Sequence, residues 1–244
     1  MAERTKIPWT HHTFNPWWGC TRLSAGCDHC YAAAMGKRLY GLQWGIDYRF
    51  FAEPHWRKPL DWNRKAEAAG VRARTFCASV GDLFEDRPEL VEPRGWVFSL
   101  IRQTPWLDWL LLTKRPNDVP SMVPESWRSG FPPNVWMGTT VENIISHPRI
   151  AALRRLPAVV RFVSFEPLLE RIDWPDLNGI HWAIVGGESG PGARPMDLDW
   201  VRVIRDACAV LRLPFFFKQR IVNGRALELP ELDGVRYAAF PEVA

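Results

Sequence analysis

The sequence predicts an α/β fold built on a buried parallel sheet, and three observations carry that prediction. Short apolar runs that are continuous rather than alternating recur from Arg72 onward, as strands covered on both faces require. Helical stretches separate these runs, which is the connection that parallel strands need. The runs also close on polar or charged residues followed by a turn. At 244 residues the chain suits one α/β barrel, so a single domain over 1–244 is expected.

Taken in order, a short strand is expected at 12–15, ahead of a cysteine loop over 15–32. Alanine and leucine content predicts a helix from Tyr31 to Tyr40, closing near Gly41. The aromatic, proline-rich stretch 41–63 reads as an ordered loop in which Pro54 and Pro59 block any long helix. Strands follow at 74–79, 109–113, 135–139, 159–165, 181–186 and 214–218, with helices at 87–103, 145–156 and 198–211 and one short helix within 116–127. With the first short strand this makes seven. The rhythm alone leaves a barrel and an open sheet both available.

The strand ends point to the site. They carry Asp82, then Lys114 and Arg115, Thr139, Thr140 and Glu142, Glu166, Gly186, Gly187 and Glu188, and Lys218. Polar groups gathered at the carboxyl ends of parallel strands are where α/β folds place ligand chemistry. Lys114, Arg115 and Lys218 suit a carboxylate or phosphate, and Asp82, Glu142 and Glu166 an ammonium or ribose hydroxyls, unless they pair with one another. The glycine-rich stretch 185–195 offers backbone amides to a nucleotide or carboxylate, with Glu188 and Arg194 either as ligand contacts or as an ion pair. It lacks the lysine of a phosphate-binding P-loop.

Three of the five cysteines, Cys20, Cys27 and Cys30, form a C-x6-C-x2-C run. Thiolates are soft donors suited to zinc or an iron–sulfur cluster. Because both usually take four ligands, three leave either a fourth ligand elsewhere, such as His11, His12 or His29, or one open iron. Gly26 either lets backbone amides approach cluster sulfides or is an ordinary turn glycine. Cys77 and Cys208 fall inside a strand and a helix and read as small buried hydrophobes. Trp17, Trp18, Trp44, Trp56 and Trp62 are read as core packing more than as base-stacking platforms.

Other classes lose ground. No Ser/His/Asp order, no H-E-x-x-H and no kinase signature is present, and no internal repeat marks a solenoid. A net charge of +4 is compatible with a nucleic-acid partner without indicating one. Without an apolar leader or eighteen uninterrupted apolar residues, a cytoplasmic protein with no membrane association is expected, in a compartment that keeps thiols reduced.

The blocks from Phe14 to Ala32, Asp82 to Phe84, Leu112 to Pro116, Glu166 to Leu169, Gly186 to Pro195 and Phe216 to Gln219 resemble a phage-associated family of uncharacterised three-cysteine-motif proteins. More distantly, the layout is similar to the radical SAM superfamily, in its spore-photoproduct-lyase-like branch. That resemblance implies a partial (β/α)6-type parallel barrel with the cysteine loop at its C-terminal mouth. It implies a [4Fe–4S] cluster on Cys20, Cys27 and Cys30, with S-adenosylmethionine bound at the fourth iron. It further implies Asp82 for the methionyl ammonium, Lys114 or Arg115 for its carboxylate, and Thr139, Thr140 or Glu142 for the ribose. An external reductant would drive cleavage to a radical that abstracts hydrogen from a small-molecule, nucleotide or nucleic-acid substrate. The chain departs from the superfamily pattern in its first gap, six residues rather than three, and in His29 where an aromatic residue usually precedes the last cysteine. The alternative is a zinc-stabilised nucleic-acid-binding module without catalysis.

Overall fold

The computed structural model describes residues 5–190, 192–223 and 225–242, and the chain divides into two compact units. One unit takes residues 1–22, 32–137 and 157–159, the other 23–31, 138–156 and 160–244.

The first unit contains β1 (His12–Thr13), β2 (Trp17–Trp18), nearly all of α1 (Tyr31–Tyr40), β3 (Arg49–Phe50), α2 (Glu53–Trp56), α3 (Lys58–Ala69) and β4 (Ala73–Cys77). α4 (Val91–Gln103), β5 (Leu107–Thr113), α5 (Val119–Met122) and the first half of β6 (Val135–Thr140) complete it. β1 pairs in parallel with β4, and β4 with β5, while β2 and β3 form a separate antiparallel pair. Leu107, Trp109, Leu110 and Leu111 of β5 are fully buried, as the continuous apolar run requires of a doubly covered strand.

The second unit takes the rest of β6, then α6 (Arg149–Arg154), β7 (Val160–Phe165), β8 (Trp182–Gly186), α7 (Leu198–Val210), β9 (Phe215–Val222), β10 (Arg225–Glu228), β11 (Glu231–Leu232) and β12 (Val235–Arg236). β7, β8 and β9 run parallel, and β10 folds back antiparallel on β9. The strand order is β1-β4-β5-β6 in the first unit and β6-β7-β8-β9-β10 in the second. All seven expected strands are therefore present, and α1 spans the residues foreseen for it.

The stretch 41–63 corrects the sequence reading. It contains α2 and the start of α3, with Pro54 and Pro59 in the first turn of each. A first-turn residue has no intrahelical use for its N–H, and the fixed φ of proline favours helix there, so both prolines start helices instead of blocking them. The helix expected over 145–156 splits into a 3₁₀ turn, Ile144–Ser146, and α6, with Pro148 at the junction. β10 to β12 had no signal: every residue of β10 is exposed, so no alternation marks it. Among the described residues no helix is long and apolar enough to cross a membrane.

Trp17, Trp18 and Trp62 are buried, as core packing requires. His55 joins that aromatic core between Phe14 and Phe51, stacked on each at 4.8 and 4.2 Å. Its Nε2 lies 2.8 Å from the Asn15 carbonyl, a geometry in which the neutral ring donates. Burial pushes its pKa down to about 4, outweighing the Asn15 bond that favours the charged form. The unfolded chain therefore binds this proton first, near its ordinary value of 6.5, so stability falls as pH drops from about 6.5 to about 4. Urea titrations should show a loss of roughly 2–3 kcal/mol across that window, flattened in His55→Gln. Equal slopes for parent and variant would refute this account.

Candidate functional site

The cysteine loop begins in the first unit. Gly19 sits at φ +129°, and a Cβ there would stand 2.7 Å from the Asp47 carbonyl, so only glycine turns the chain into Cys20. The half-buried Cys20 sulfur lies 3.8 Å from Arg115 Nη1. Arg115 is the hub of this cluster: Nη1 donates to Asp82 at 2.9 Å and Nη2 to the Thr21 carbonyl at 2.9 Å. Burial pushes the Cys20 thiol well above its usual range, the Asp82 and Glu85 carboxylates add to this, and Arg115 opposes it.

Asp82 is saturated. It accepts from Thr113 Oγ1 at 2.7 Å, Phe84 N at 3.0 Å, Lys114 N at 3.1 Å and Arg115. Asp82 and Arg115 are thus paired with each other. Glu85, which the sequence reading passed over, accepts on Oε1 from the Thr21 N–H at 2.9 Å, the Thr21 hydroxyl and the Tyr48 hydroxyl at 2.9 Å. Its place three residues beyond Asp82, at the same strand end, is the signal that could have found it.

Cys27 and Cys30 belong to the second unit, in a 3₁₀ turn (Ala25–Cys27) and the step into α1. Glu142 is fully buried and accepts from Ser24 Oγ at 2.6 Å and Arg149 Nη1 at 2.8 Å. Arg149 also donates to the Thr140 carbonyl, and Thr139 and Thr140 are themselves buried. A Cβ on Gly26 would stand 2.6 Å from Glu142 Oε1, so this glycine makes room for the carboxylate. Glu188 is bound by the Arg194 N–H and Nε at 3.0 and 2.8 Å and by Nη2 at 2.5 Å, so the two form an ion pair. Burial would raise Glu188, but the Arg194 bonds hold its carboxyl below the usual carboxylate range.

β9 runs on to Val222, so Lys218 lies within the strand and not at its end as the sequence reading had it; it forms an ion pair with Glu166, just past β7, and Gln219 Nε2 donates to the Gly187 carbonyl at 2.9 Å. A Cβ on Gly186 would meet Glu166 at 3.2 Å, so the Gly186-Gly187 pair lets the strand end close against its neighbours. Pro191 of the glycine-rich stretch lies outside the described residues. Among the expected histidine ligands, His11 Nδ1 accepts the Arg74 N–H at 2.9 Å, His12 stacks on Trp62 at 4.4 Å, and His29 Nδ1 lies 2.5 Å from the Gly192 carbonyl.

The family-level comparison fits these blocks. A family model described as Protein of unknown function (DUF5131) matches residues 4–241. The chain belongs to that family. Among curated proteins none matches. Two solved structures of spore photoproduct lyase variants, one with a cysteine replaced by serine and one with a tyrosine replaced by phenylalanine, are similar in fold. Each has a TM-score of 0.52, at 13% and 12% identity, with 91% and 92% of this chain covered and 68% and 70% of theirs. The fold is accordingly a mixed α/β one with a partial parallel barrel, similar to that of spore photoproduct lyase.

Among the described residues no group of three His, Cys, Asp or Glu side chains is placed to hold a metal ion. The fit to an iron–sulfur group is one of donor chemistry. Cys20, Cys27 and Cys30 are half-buried thiols outside any disulfide, and the Arg115 cation beside Cys20 offsets the charge a ligating thiolate brings.

Proposed function

We propose that the protein is an iron–sulfur enzyme of the radical SAM type. The observation that carries this reading is the pairing of three half-buried thiols on one short loop with a partial barrel similar to that of spore photoproduct lyase. Cys20, Cys27 and Cys30 would hold a [4Fe–4S] cluster, which when bound with S-adenosylmethionine supplies a radical able to take a substrate hydrogen.

The chain's own residues divide the remaining work. Arg115, held on Asp82, keeps a cation against the Cys20 sulfur and fixes the Thr21 carbonyl. Glu85 grips Thr21, the residue that leads away from Cys20. The buried Thr139, Thr140 and Glu142 serve the architecture of the loop, because Glu142 already spends its oxygens on Ser24 and Arg149. Lys218, within β9, and Glu166, just past β7, form a partly exposed pair of opposite charge. They, with the Gly186-Gly187 turn, would meet a small-molecule, nucleotide or nucleic-acid substrate. An external reductant supplies the electron, and a reducing cytoplasm suits thiols of this kind.

Anaerobic reconstitution with iron and sulfide should give a brown protein that releases 5′-deoxyadenosine when supplied with dithionite and S-adenosylmethionine. A colourless protein holding one zinc per chain would sink the cluster reading. A loaded cluster that yields no 5′-deoxyadenosine would remove the radical chemistry alone.

A further inference from the structure

The turn that carries Cys27 is held at its neighbouring positions by groups of its own unit. Ser24 donates to Glu142 at 2.6 Å, and the Ala25 carbonyl accepts from Arg194 Nη2 at 2.9 Å. Gly26 packs so close to Glu142 that no side chain fits between them. Asp28 lies 3.8 Å from Arg194 Nη1, and His29 reaches the Gly192 carbonyl at 2.5 Å. The anchors are themselves fixed. Arg149 bonds Glu142 and the Thr140 carbonyl, and Glu188 grips Arg194 through a fork of three donors.

We propose that Glu142 and Arg194 are positioning residues that hold the turn bearing Cys27 and Cys30 in one shape whether or not a metal is bound. Ser24, Ala25 and Gly26 of the six-residue spacer between Cys20 and Cys27 meet both anchors, so this stretch acts as a bracket. A flexible spacer would have to be ordered each time a metal bound; this one is ordered in advance. Charged partners suit the task, since a hydrogen bond to a buried carboxylate or from a guanidinium is stronger than a neutral one. Glu142 has no exposed surface with which to meet a ligand of its own.

The proposal rests on reading these thiols as ligands, but its test does not. Metal-free protein is treated with iodoacetamide, and the alkylation rate of each cysteine is followed by peptide mass spectrometry. In Ser24→Ala, Gly26→Ala and Arg194→Met, Cys27 and Cys30 should label about tenfold faster, the size of one lost charge-assisted hydrogen bond. Cys20, held in the other unit by Arg115, should stay within about twofold of the parent. Ser24→Thr keeps the hydroxyl and should restore the parental rate, which a simple loss of stability would not. Parental rates at Cys27 and Cys30 in the three variants, or equal acceleration at Cys20, overturn the proposal. Should Gly26→Ala fail to fold, the Ser24→Ala and Ser24→Thr pair still decides. If the parent takes up no iron while the labelling differences hold, the bracket stands and the cluster reading falls.

Discussion

Replacing Cys20, Cys27 or Cys30 by alanine is expected to abolish iron incorporation on anaerobic reconstitution, while Cys77→Ala and Cys208→Ala keep the brown colour. The two groups of thiols differ in surroundings. The loop cysteines are half-buried on a polar turn. Cys77 lies fully buried in β4 and Cys208 is 1% exposed in α7. Enclosed in a strand and a helix, these two serve as small core hydrophobes with no room for a metal beside them. Cys77→Ala and Cys208→Ala should instead cost about 1–2 kcal/mol of stability through the space they leave. Each loop variant should lose iron by at least about tenfold while the melting transition of the metal-free protein stays nearly intact, since the metal's binding energy and not the core is what the thiol supplies. Iron content by elemental analysis beside a denaturation curve checks both halves. Retained iron in a loop variant would remove that cysteine from the ligand set.

Gly138→Ala should destabilise the second unit by about 3 kcal/mol or more, the upper end of what overpacking a core costs. Gly138 sits in the interior of β6, and a Cβ there would overlap the ring of Phe162 on β7, far inside any carbon–carbon contact. Neither side can yield easily, because Phe162 has no exposed surface and packs 5.8 Å from Trp182, itself fully buried. The glycine is required here by space, since its backbone is ordinary strand. Phe162→Leu trims the obstructing ring, so the double variant should be more stable than Gly138→Ala alone, a coupling of more than about 1 kcal/mol in a double-mutant cycle. Urea denaturation of the four proteins measures it. A Gly138→Ala protein as stable as the parent would show that β7 shifts to accommodate the methyl group.

The strands were legible because burial on both faces leaves a mark on composition. Runs such as 109–113 are apolar without alternation, and only a covered parallel strand calls for that. Pro54 and Pro59 misled for a physical reason: a proline breaks a helix interior and starts a helix at its first turn, and only the chain's hydrogen bonding says which applies. β10 carried no signal because an exposed edge strand needs no apolar face.

The sequence by itself determined the α/β class, the places of the seven main strands along the chain and the three-thiol loop, since periodicity and ligand type are local properties that a linear pattern records. The tertiary structure decided the partners. Which cation of the chain pairs with each of Asp82, Glu142, Glu166 and Glu188 depends on the fold, whether the partner lies 33 and 52 residues away, as for Asp82 and Glu166, or seven and six, as for Glu142 and Glu188. Arg115, Arg149, Lys218 and Arg194 proved to be those cations. The same holds for Gly26, which stands 116 positions before the Glu142 carboxylate whose approach requires it to be glycine.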